Sequence, residues 1–256
     1  MILAIDIGNT NTVLGCCRGH EILFVERLAT APSRTVLEYA ISIKNVLELY
    51  QINRDEITGA IISSVVPPLT NLFRDAVKKI VGVEALVVGP GVKTGLNILM
   101  DNPAQVGSDL IVNAVAAITE HEPPLIIIDM GTATTLSVID RNKNYIGGMI
   151  LPGIRVSLDS LVSRTSQLPR ISLEAPRRLV GKNTTECMKS GVIHGNASCI
   201  DGLIDRIERE TGEKMTVIAT GGLSSVITPH CFHDILLDDA LLLKGLMYIY
   251  YKNKPE

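Results

Sequence analysis

The sequence predicts an α/β protein made of two similar halves, each a β-sheet with helices on both faces. The first observation is a repeat: the chain opens with MILAIDIGNTNT, and LIIIDMGTATT occupies residues 125–135. At a constant offset of 123 residues, the matched positions are Asp6 with Asp129, Gly8 with Gly131, and Thr12 with Thr135. The second observation is that each half continues as three strands followed by alternating helices and strands, which is typical of a covered sheet.

Composition narrows the class of protein. The 256 residues are enough for one large domain or two of ordinary size. A net charge of −3 argues against a dedicated nucleic-acid-binding protein, for which a basic excess is typical. The five cysteines include no CxxC pair, which favours reduced thiols in a cytoplasmic protein over disulfides or a zinc site. Asp6 interrupts the N-terminal apolar run and no other run is long enough to span a bilayer, so we expect neither signal peptide nor membrane partner.

In the first half, apolar periodicity and turn residues define the elements. A strand buried on both faces leads into a hairpin that turns at Arg18, Gly19 and His20, and Pro67 and Pro68 end a later strand. We expect strands at residues 2–5, 12–17, 22–28, 59–66 and 85–88, and helices at residues 35–50, 69–80 and 103–119.

The second half repeats this order. We expect strands at residues 125–128, 134–140, 145–151 and 215–219, and helices at residues 156–163, 184–209 and 239–250. The boundary falls near residues 118–124, which gives two domains, 1–117 and 118–256. Two such sheets would leave a cleft between them, lined by the two matching Asp-x-Gly turns.

The first turn has the chemistry of a phosphate site. A strand ends on Asp6 and turns through Gly8, so that backbone N–H groups and the side chains of Asn9, Thr10 and Thr12 could approach a triphosphate. Asp6 would hold Mg²⁺, directly or through water, because that ion prefers oxygen ligands. The alternative is an ordinary turn that closes a hairpin. The repeated turn favours phosphate binding, and by symmetry Asp129 and Thr132 would face the same phosphates.

Asp109 is the candidate for proton transfer. Transfer of phosphate to an alcohol needs a carboxylate that orients or deprotonates the hydroxyl. Asp109 follows Gly107 near the start of a mostly apolar helix. Its spacing alone favours a simpler role, because an acidic residue in the first turn stabilises a helix through its dipole.

Seven motifs resemble those of type III pantothenate kinases, in the acetate and sugar kinase/Hsp70/actin superfamily. They are DIGNTNT at 6–12, NPAQVGSDL at 102–110, DMGTATT at 129–135, GGMILPGI at 147–154, LPRI at 168–171, GKNTTECMKSG at 181–191 and ATGGLS at 219–224. The resemblance runs nearly end to end. It implies two ribonuclease-H-like (actin-like ATPase) domains with an ATP cleft between them, a homodimer, and ATP-dependent phosphorylation of pantothenate, the first step of coenzyme A synthesis.

The resemblance also implies roles for single residues. Asp109 would be the catalytic acid–base residue, Asp6 would hold Mg²⁺, and Asp129 would hold a monovalent cation, K⁺ or NH₄⁺. The implied ATP-binding residues are Asp6, Gly8, Asn9, Thr10, Asn11, Thr12, Val13, Thr132, Gly221 and Gly222. The implied substrate-binding residues are Met100, Gly107, Ser108, Asp109, Leu110 and Thr184. For Gly221 and Gly222 the alternative is a generic strand-to-helix turn, and for Thr184 it is a helix start, with Asn183 and Glu186 at capping-box spacing.

Two positions depart from the family pattern. Leu110 stands where the family has an arginine that suits the carboxylate of pantothenate, and Met100 stands where an aromatic residue often lines the pocket. Either another cation, such as Arg155 or Arg164, substitutes, or the chain binds pantothenate poorly. Two alternatives stay open: a superfamily kinase acting on a different small molecule, and a non-enzymatic accessory transcriptional regulator.

Overall fold

Two β-sheets organise residues 1–254, the part of the chain that the computed structural model describes. The strands are β1 (Ile2–Ile7), β2 (Asn11–Arg18), β3 (Glu21–Ala29), β4 (Gly59–Ser64), β5 (Ala85–Val87), β6 (Asn97–Ile98), β7 (Leu125–Met130), β8 (Ala133–Ile139), β9 (Asn144–Pro152), β10 (Thr216–Thr220) and β11 (Ile235–Leu237). The α-helices are α1 (Val36–Leu49), α2 (Pro67–Val81), α3 (Ser108–Glu120), α4 (Ile154–Ser163), α5 (Thr184–Thr211), α6 (Ser224–Ile227) and α7 (Leu241–Asn253). Short 3₁₀ turns occur at Arg54–Glu56, Pro103–Gln105 and Thr228–His230.

The sheets belong to two separate units. Unit 1 comprises Met1–Leu96, Asp101–Ala116 and the chain from Ala240 onward, and unit 2 comprises Asn97–Met100 and Ala117–Asp239. The predicted division into residues 1–117 and 118–256 therefore differs from the structure by one residue at the boundary, since Ala117 lies in unit 2, and in two further segments. The final helix belongs to unit 1, and the short segment with β6 belongs to unit 2.

In unit 1 the strand order is β3-β2-β1-β4-β5. The central strand β1 runs antiparallel to β2 and parallel to β4, and all six of its residues are buried. A capping box starts α1, in which Thr35 and Glu38 exchange hydrogen bonds, an arrangement that stabilises a helix by about 1 kcal/mol. Helix α2 begins at Pro67, a position whose N–H would have no intrahelical acceptor, so proline loses no helix hydrogen bond there. The helix is followed by Gly82 in the left-handed conformation.

Helix α7 belongs to unit 1 because its apolar face packs on the first sheet. One buried cluster contains Ile2, Ala4, Ile61, Val112, Leu243, Leu246 and Ile249. Two strand glycines let the helix approach closely. A Cβ at Gly15 would meet the side chain of Leu243 at 2.7 Å, and a Cβ at Gly59 would overlap the ring of Tyr250. The final helix and these strand glycines are more than 180 residues apart in the chain, so local patterns could not pair them.

Unit 2 repeats the topology of unit 1. Its strand order is β11-β10-β7-β8-β9-β6. Read in the opposite direction, β9-β8-β7-β10-β11 corresponds to β3-β2-β1-β4-β5 of unit 1, and β6 is an additional strand next to β9. Strand β7 runs antiparallel to β8 and parallel to β10, as β1 does to β2 and β4. The predicted class of two ribonuclease-H-like halves is confirmed by this shared order and by the structural comparisons given below.

The two repeated turns differ by one residue. In unit 1, Ile7 pairs with Thr12 and four residues lie between them. In unit 2, Met130 pairs with Thr134 and only three residues lie between them. The residue that corresponds to Thr12 is therefore Thr134, not Thr135 as the constant offset predicted. The reason is that the shorter turn shifts the register of the second strand, which a sequence alignment without gaps does not detect.

Every predicted strand and helix is present, with most ends within two residues of the prediction. The main difference precedes α3, where the predicted helix over 103–119 is a 3₁₀ turn at Pro103–Gln105 followed by the helix from Ser108. The short elements β6, β11 and α6 were not predicted, because two to four residues carry too little periodicity. Among residues 1–254, no helix is both long and apolar enough to cross a bilayer.

Candidate active site

The first turn, residues 8–11, lies at the end of the central strand of unit 1. Asp6 is only 8% exposed, whereas Asn9, Thr10 and Asn11 are exposed. The N–H of Gly8 donates to the carbonyl of Asn11 at 3.0 Å, and a Cβ at Gly8 would lie 2.9 Å from that carbonyl oxygen. Glycine at position 8 therefore keeps the turn tight, and the turn presents its backbone and three polar side chains to solvent.

Thr12 differs in burial from the exposed candidate residues of this turn. Its side chain is fully buried, and its hydroxyl is 3.0 Å from the hydroxyl of Thr30, the residue that follows β3. The Thr30 hydroxyl donates to the carbonyl of Gly8 at 2.7 Å. Sequence reasoning missed Thr30. The available signal was the hairpin register, because the residue after the third strand must lie beside the turn between the first two.

Next to Asp6, a chain of hydroxyl groups connects β4 with the start of α3. Asp6 pairs with Ser63 in the parallel register of β1 and β4, and Ser63 is fully buried. The Ser63 hydroxyl is 3.0 Å from that of Ser108, which accepts a hydrogen bond from the Ser64 N–H at 3.1 Å. The Ser108 hydroxyl is also 3.0 Å from the Ser64 carbonyl. Asp6 and Asp109 thus lie at the same edge of the unit 1 sheet.

Asp109 occupies the first turn of α3 and is partly buried. The N–H of Leu110 donates to its Oδ1 at 2.9 Å. Burial nevertheless raises the pKa of the Asp109 carboxyl above its ordinary value. A Cβ at Gly107 would lie 2.5 Å from Asp109 Oδ1, so the glycine leaves room for the carboxylate. A partly buried carboxyl with a raised pKa is the kind of group that accepts a proton near neutral pH.

The second turn, residues 131–133, lies at the same place in unit 2. Asp129 at the end of β7 is partly buried, and Gly131 and Thr132 are exposed. Gly221, with φ +92°, follows β10 and packs directly on this turn: a Cβ there would lie 2.6 Å from Asp129 Oδ1 and 2.7 Å from the N of Met130. The structure therefore brings Asp129 and Gly221 together at one end of the unit 2 sheet.

Gly153 supports the other side of the second turn. Its N–H donates to the carbonyl of Thr132 at 3.1 Å, and a Cβ at position 153 would overlap that carbonyl. The same glycine precedes α4 as its N-cap residue and provides no side-chain cap. The position of Thr132 thus depends on Gly153, a residue without a side chain. Gly153 was not among the candidates found from the sequence.

The remaining substrate candidates lie in different parts of the fold. Gly107, Ser108 and Leu110 are partly buried in unit 1, whereas Met100 is 37% exposed and belongs to unit 2. Thr184, also in unit 2, is exposed at the start of α5. It lines a pocket of about 420 Å³ between α4 and α5, whose walls are mostly apolar. This pocket contains none of the predicted nucleotide-binding residues.

The start of α5 is capped by Asn183, whose side chain accepts from the N–H of Glu186 at 2.9 Å. The Glu186 carboxylate accepts from the N–H of Arg177 at 3.0 Å and so ties the preceding loop to the helix. The cap predicted from the sequence is confirmed in its first half, and it fixes the backbone of Thr184.

The side chains that could ligate a metal ion are dispersed among the described residues. No group of three or more His, Cys, Asp or Glu side chains within residues 1–254 could enclose a metal ion. The candidate ligands Asp6 and Asp129 are therefore single carboxylates at strand ends, and beside Asp129 the missing side chain of Gly221 leaves space, since a Cβ there would lie 2.6 Å from Asp129 Oδ1. Mg²⁺ in phosphate sites ordinarily keeps waters and phosphate oxygens as its other ligands.

Comparisons with known proteins identify the family of the chain. The family model described as type III pantothenate kinase matches residues 2–206. The type III pantothenate kinases of Exiguobacterium sp. and Halalkalibacterium halodurans are each 44% identical, across 99% of this chain and 100% of their own. That of Moorella thermoacetica is 42% identical over the same share of both chains.

Solved structures support the fold. An activator of 2-hydroxyisocaproyl-CoA dehydratase from Clostridium difficile aligns with TM-score 0.57 and 13% identity, covering 97% of this chain and 93% of that one. Component A of the (R)-2-hydroxyglutaryl-CoA dehydratase of Acidaminococcus fermentans aligns with TM-score 0.56 and 16% identity, covering 98% and 97%. These likenesses show the actin-like ATPase fold, and the family model with its full-length relatives shows more: this chain belongs to the type III pantothenate kinase family.

Proposed function

We propose that Asp109 is the catalytic carboxylate in the ATP-dependent phosphorylation of pantothenate, the reaction of the type III pantothenate kinases. In this role it orients the 4′-hydroxyl of pantothenate and accepts its proton as the hydroxyl oxygen attacks the γ-phosphorus of ATP. The γ-phosphoryl group moves to that oxygen, and ADP leaves. The products are 4′-phosphopantothenate and ADP.

One observation carries the assignment of Asp109. Burial raises the pKa of this carboxyl, while the Ser108 hydroxyl beside it fastens the start of α3 to β4. A carboxylate can stabilise a helix through its dipole at an exposed position, so that role does not require the desolvation that burial imposes on Asp109. A general base gains in two ways, because its position is fixed and its proton affinity is raised.

Nucleotide contacts are proposed for residues of each unit taken separately. In unit 1, the exposed turn with Asn9, Thr10 and Asn11 offers backbone and side-chain donors to phosphate oxygens. In unit 2, Thr132 contributes a hydroxyl, and Gly221 and Gly222 leave space for the adenosine. Thr12 and Val13 support the first turn from the strand that follows it.

Two cations complete the proposal. Asp6 would hold Mg²⁺, and Asp129 would hold a monovalent cation, K⁺ or NH₄⁺. When bound, such ions neutralise charge on the phosphates and so favour their approach to a nucleophile. Each carboxylate would supply one or two oxygen ligands, in keeping with Mg²⁺ sites that are completed by water and phosphate.

Pantothenate recognition rests on Gly107, Ser108, Leu110, Met100 and Thr184. Since Leu110 provides no positive charge, the substrate carboxylate needs another cation, for which Arg155 and Arg164 on and after α4 are candidates. We further propose a homodimer, in which Thr184 reaches the pocket of the partner subunit. Exposed apolar side chains of unit 2, among them Val156, Leu161 and Val180, are suited to such an interface.

The protein is proposed to act in the cytoplasm, where its five free cysteines would stay reduced. The alternative of a kinase with a different substrate is tested by the same assay as the main proposal. ADP release is measured in a coupled assay with pantothenate, with other small alcohols and with none. Pantothenate-dependent ADP release is expected, and release with another alcohol alone would overturn the substrate assignment.

The role of Asp109 is tested by Asp109→Asn. This variant should bind ATP normally but lose roughly 10²–10⁴-fold in kcat, because the amide cannot accept the proton. An exposed acid of the same unit, Asp75→Asn on α2, is the matched control and should retain full turnover. Wild-type turnover in Asp109→Asn would show that the residue only stabilises the helix.

A further inference from the structure

We infer that Thr30 is a positioning residue for nucleotide binding, acting through a pair of hydroxyl groups that hold the first turn in shape. We call this pair, Thr12 and Thr30, the hydroxyl clasp. The inference rests on the proposed role of residues 8–11 in binding ATP. Thr30 itself is not assigned any contact with the nucleotide.

Three hydrogen bonds connect Thr30 with the turn. Its N–H donates to the carbonyl of Thr10 at 3.0 Å, and its hydroxyl donates to the carbonyl of Gly8 at 2.7 Å. The third bond joins the hydroxyls of Thr30 and Thr12, whose oxygens are 3.0 Å apart. One residue outside the turn therefore fixes two of its carbonyl groups and the side chain that ends it.

The direction of these bonds follows from counting protons. A threonine hydroxyl has one proton to donate. Since Thr30 donates its proton to Gly8, the bond between the two hydroxyls must be donated by Thr12. The Thr12 proton is thus used inside the protein, and its side chain is fully buried. We infer that Thr12 supports the turn and that the phosphate contacts come from the exposed residues 9–11.

Unit 2 provides an internal comparison. Gly153 follows β9 as Thr30 follows β3, and its N–H donates to Thr132 as that of Thr30 donates to Thr10. Thr134 corresponds to Thr12 and is 6% exposed. With no side chain at position 153, the hydroxyl of Thr134 has no hydrogen-bond partner among the residues that the structure describes.

The same hairpin therefore forms with or without the clasp. The clasp is therefore not required for the hairpin to fold. Since the clasp is present in the first turn and missing from the second, we relate it to the function of the first turn. Fixing the carbonyls of Gly8 and Thr10 holds the backbone of the first turn in one conformation before the nucleotide binds. Pre-ordering the turn lowers the entropy lost on binding.

The test compares Thr30→Val with Thr30→Ser. Valine keeps the shape but removes the hydroxyl, and serine keeps the hydroxyl. We measure the Kd of a non-hydrolysable ATP analogue with Mg²⁺ by calorimetry, together with KM for each substrate. Thr30→Val should weaken analogue binding by roughly 5-fold or more, as expected for the loss of one or two net hydrogen bonds. KM for pantothenate should stay unchanged, and Thr30→Ser should restore binding.

Two further variants separate positioning from general stability. Thr12→Val should weaken analogue binding less than Thr30→Val, because it removes the bond between the two hydroxyls and leaves the bond from Thr30 to Gly8. The double variant should be no worse than Thr30→Val, since that variant already lacks both bonds. Thr58→Val is the control, since it removes a hydroxyl that bonds to a backbone carbonyl at the opposite end of β1 and β4. It should leave analogue binding unchanged.

The outcomes distinguish this inference from the proposed function. If the wild-type protein binds the analogue and Thr30→Val binds it equally well, the clasp has no positioning role. If Thr30→Val raises KM for ATP and KM for pantothenate equally and also lowers the melting temperature, Thr30 has a general structural role and the inference is wrong. If the wild-type protein binds no analogue, the assignment of the first turn is wrong. Absent turnover with intact analogue binding would contradict only the proposed reaction.

Discussion

The hydroxyl oxygens of Ser63 and Ser108 lie 3.0 Å apart, which ties the end of β4 to the first residue of α3. Ser63 is also the register partner of Asp6, and Ser108 precedes Asp109. A single polar contact thus holds the proposed Mg²⁺ ligand and the proposed general base at one edge of the sheet. The relationship depends on a contact between residues 45 positions apart.

Ser108→Ala should lower kcat by roughly 10-fold and reduce the free energy of unfolding by about 1–3 kcal/mol. The reason is that the variant leaves the Ser64 N–H without its acceptor and frees the first turn of α3. Kinetics and urea unfolding measure the two effects. Ser42→Ala, which removes an exposed helix hydroxyl bonded to Glu38, is the matched control. Equal effects of both substitutions would contradict a special role for Ser108.

Asp109→Asn should be at least as stable as the wild-type protein at neutral pH. Burial raises the pKa of Asp109, so the folded state holds the proton more tightly than the unfolded state. The stability that this group contributes is present below its unfolded pKa and is lost as the pH rises through the folded pKa. The advantage of the variant should therefore disappear in acid. Urea unfolding at several pH values tests this, and lower stability of the variant at neutral pH would contradict it.

The pH dependence of turnover should report the same group. With Asp109 as general base, kcat should fall on the acid side with a midpoint above the ordinary pKa of an aspartate, because burial raises the pKa of this carboxyl. The residual activity of Asp109→Asn should lack that acidic limb. If the acidic limb of the pH profile persists unchanged in the variant, another residue is responsible for it.

Gly221→Ala should weaken binding of the ATP analogue and destabilise unit 2. The added Cβ would lie 2.6 Å from Asp129 Oδ1, and alanine is strained at φ +92°. Gly202→Ala on α5 is the matched control, since its Cβ would meet no atom within 4 Å. That control should be neutral or slightly stabilising, because alanine favours helices. Normal analogue binding by Gly221→Ala would exclude Gly221 from the nucleotide site.

Leu110→Arg should lower KM for pantothenate and leave KM for ATP largely unchanged. The substitution adds a cation beside Asp109 in the proposed pantothenate site, and Leu110 is partly exposed, so a longer side chain can reach solvent. Leu110→Met provides a neutral side chain of similar size as the control. If KM for pantothenate does not change with arginine, the carboxylate is bound elsewhere, and Arg155 and Arg164 become the residues to substitute next.

Much of the fold could be predicted because its signals are local. Asp6 and Asp129 each follow an apolar run that is long enough for a buried strand, and Thr35 with Glu38 carries a capping pattern within four residues. Hydrophobic periodicity and capping depend on neighbours in the chain, so they can be read from a single sequence. The repeated turn likewise identified Asp6 and Asp129, whereas the local pattern around Asp109 favoured a helix-stabilising role and its catalytic role came from the family resemblance.

The sequence by itself determined the two α/β halves, the repeated Asp-x-Gly turns and the position of Asp109 near a helix start. Tertiary structure alone decided that α7 packs in unit 1, that Thr134 corresponds to Thr12, and that Thr30 holds the first turn. Each of these depends on strand register or on packing between distant segments. Such contacts form only when the whole chain has folded, because their energies come from neighbours in space and not from neighbours in sequence.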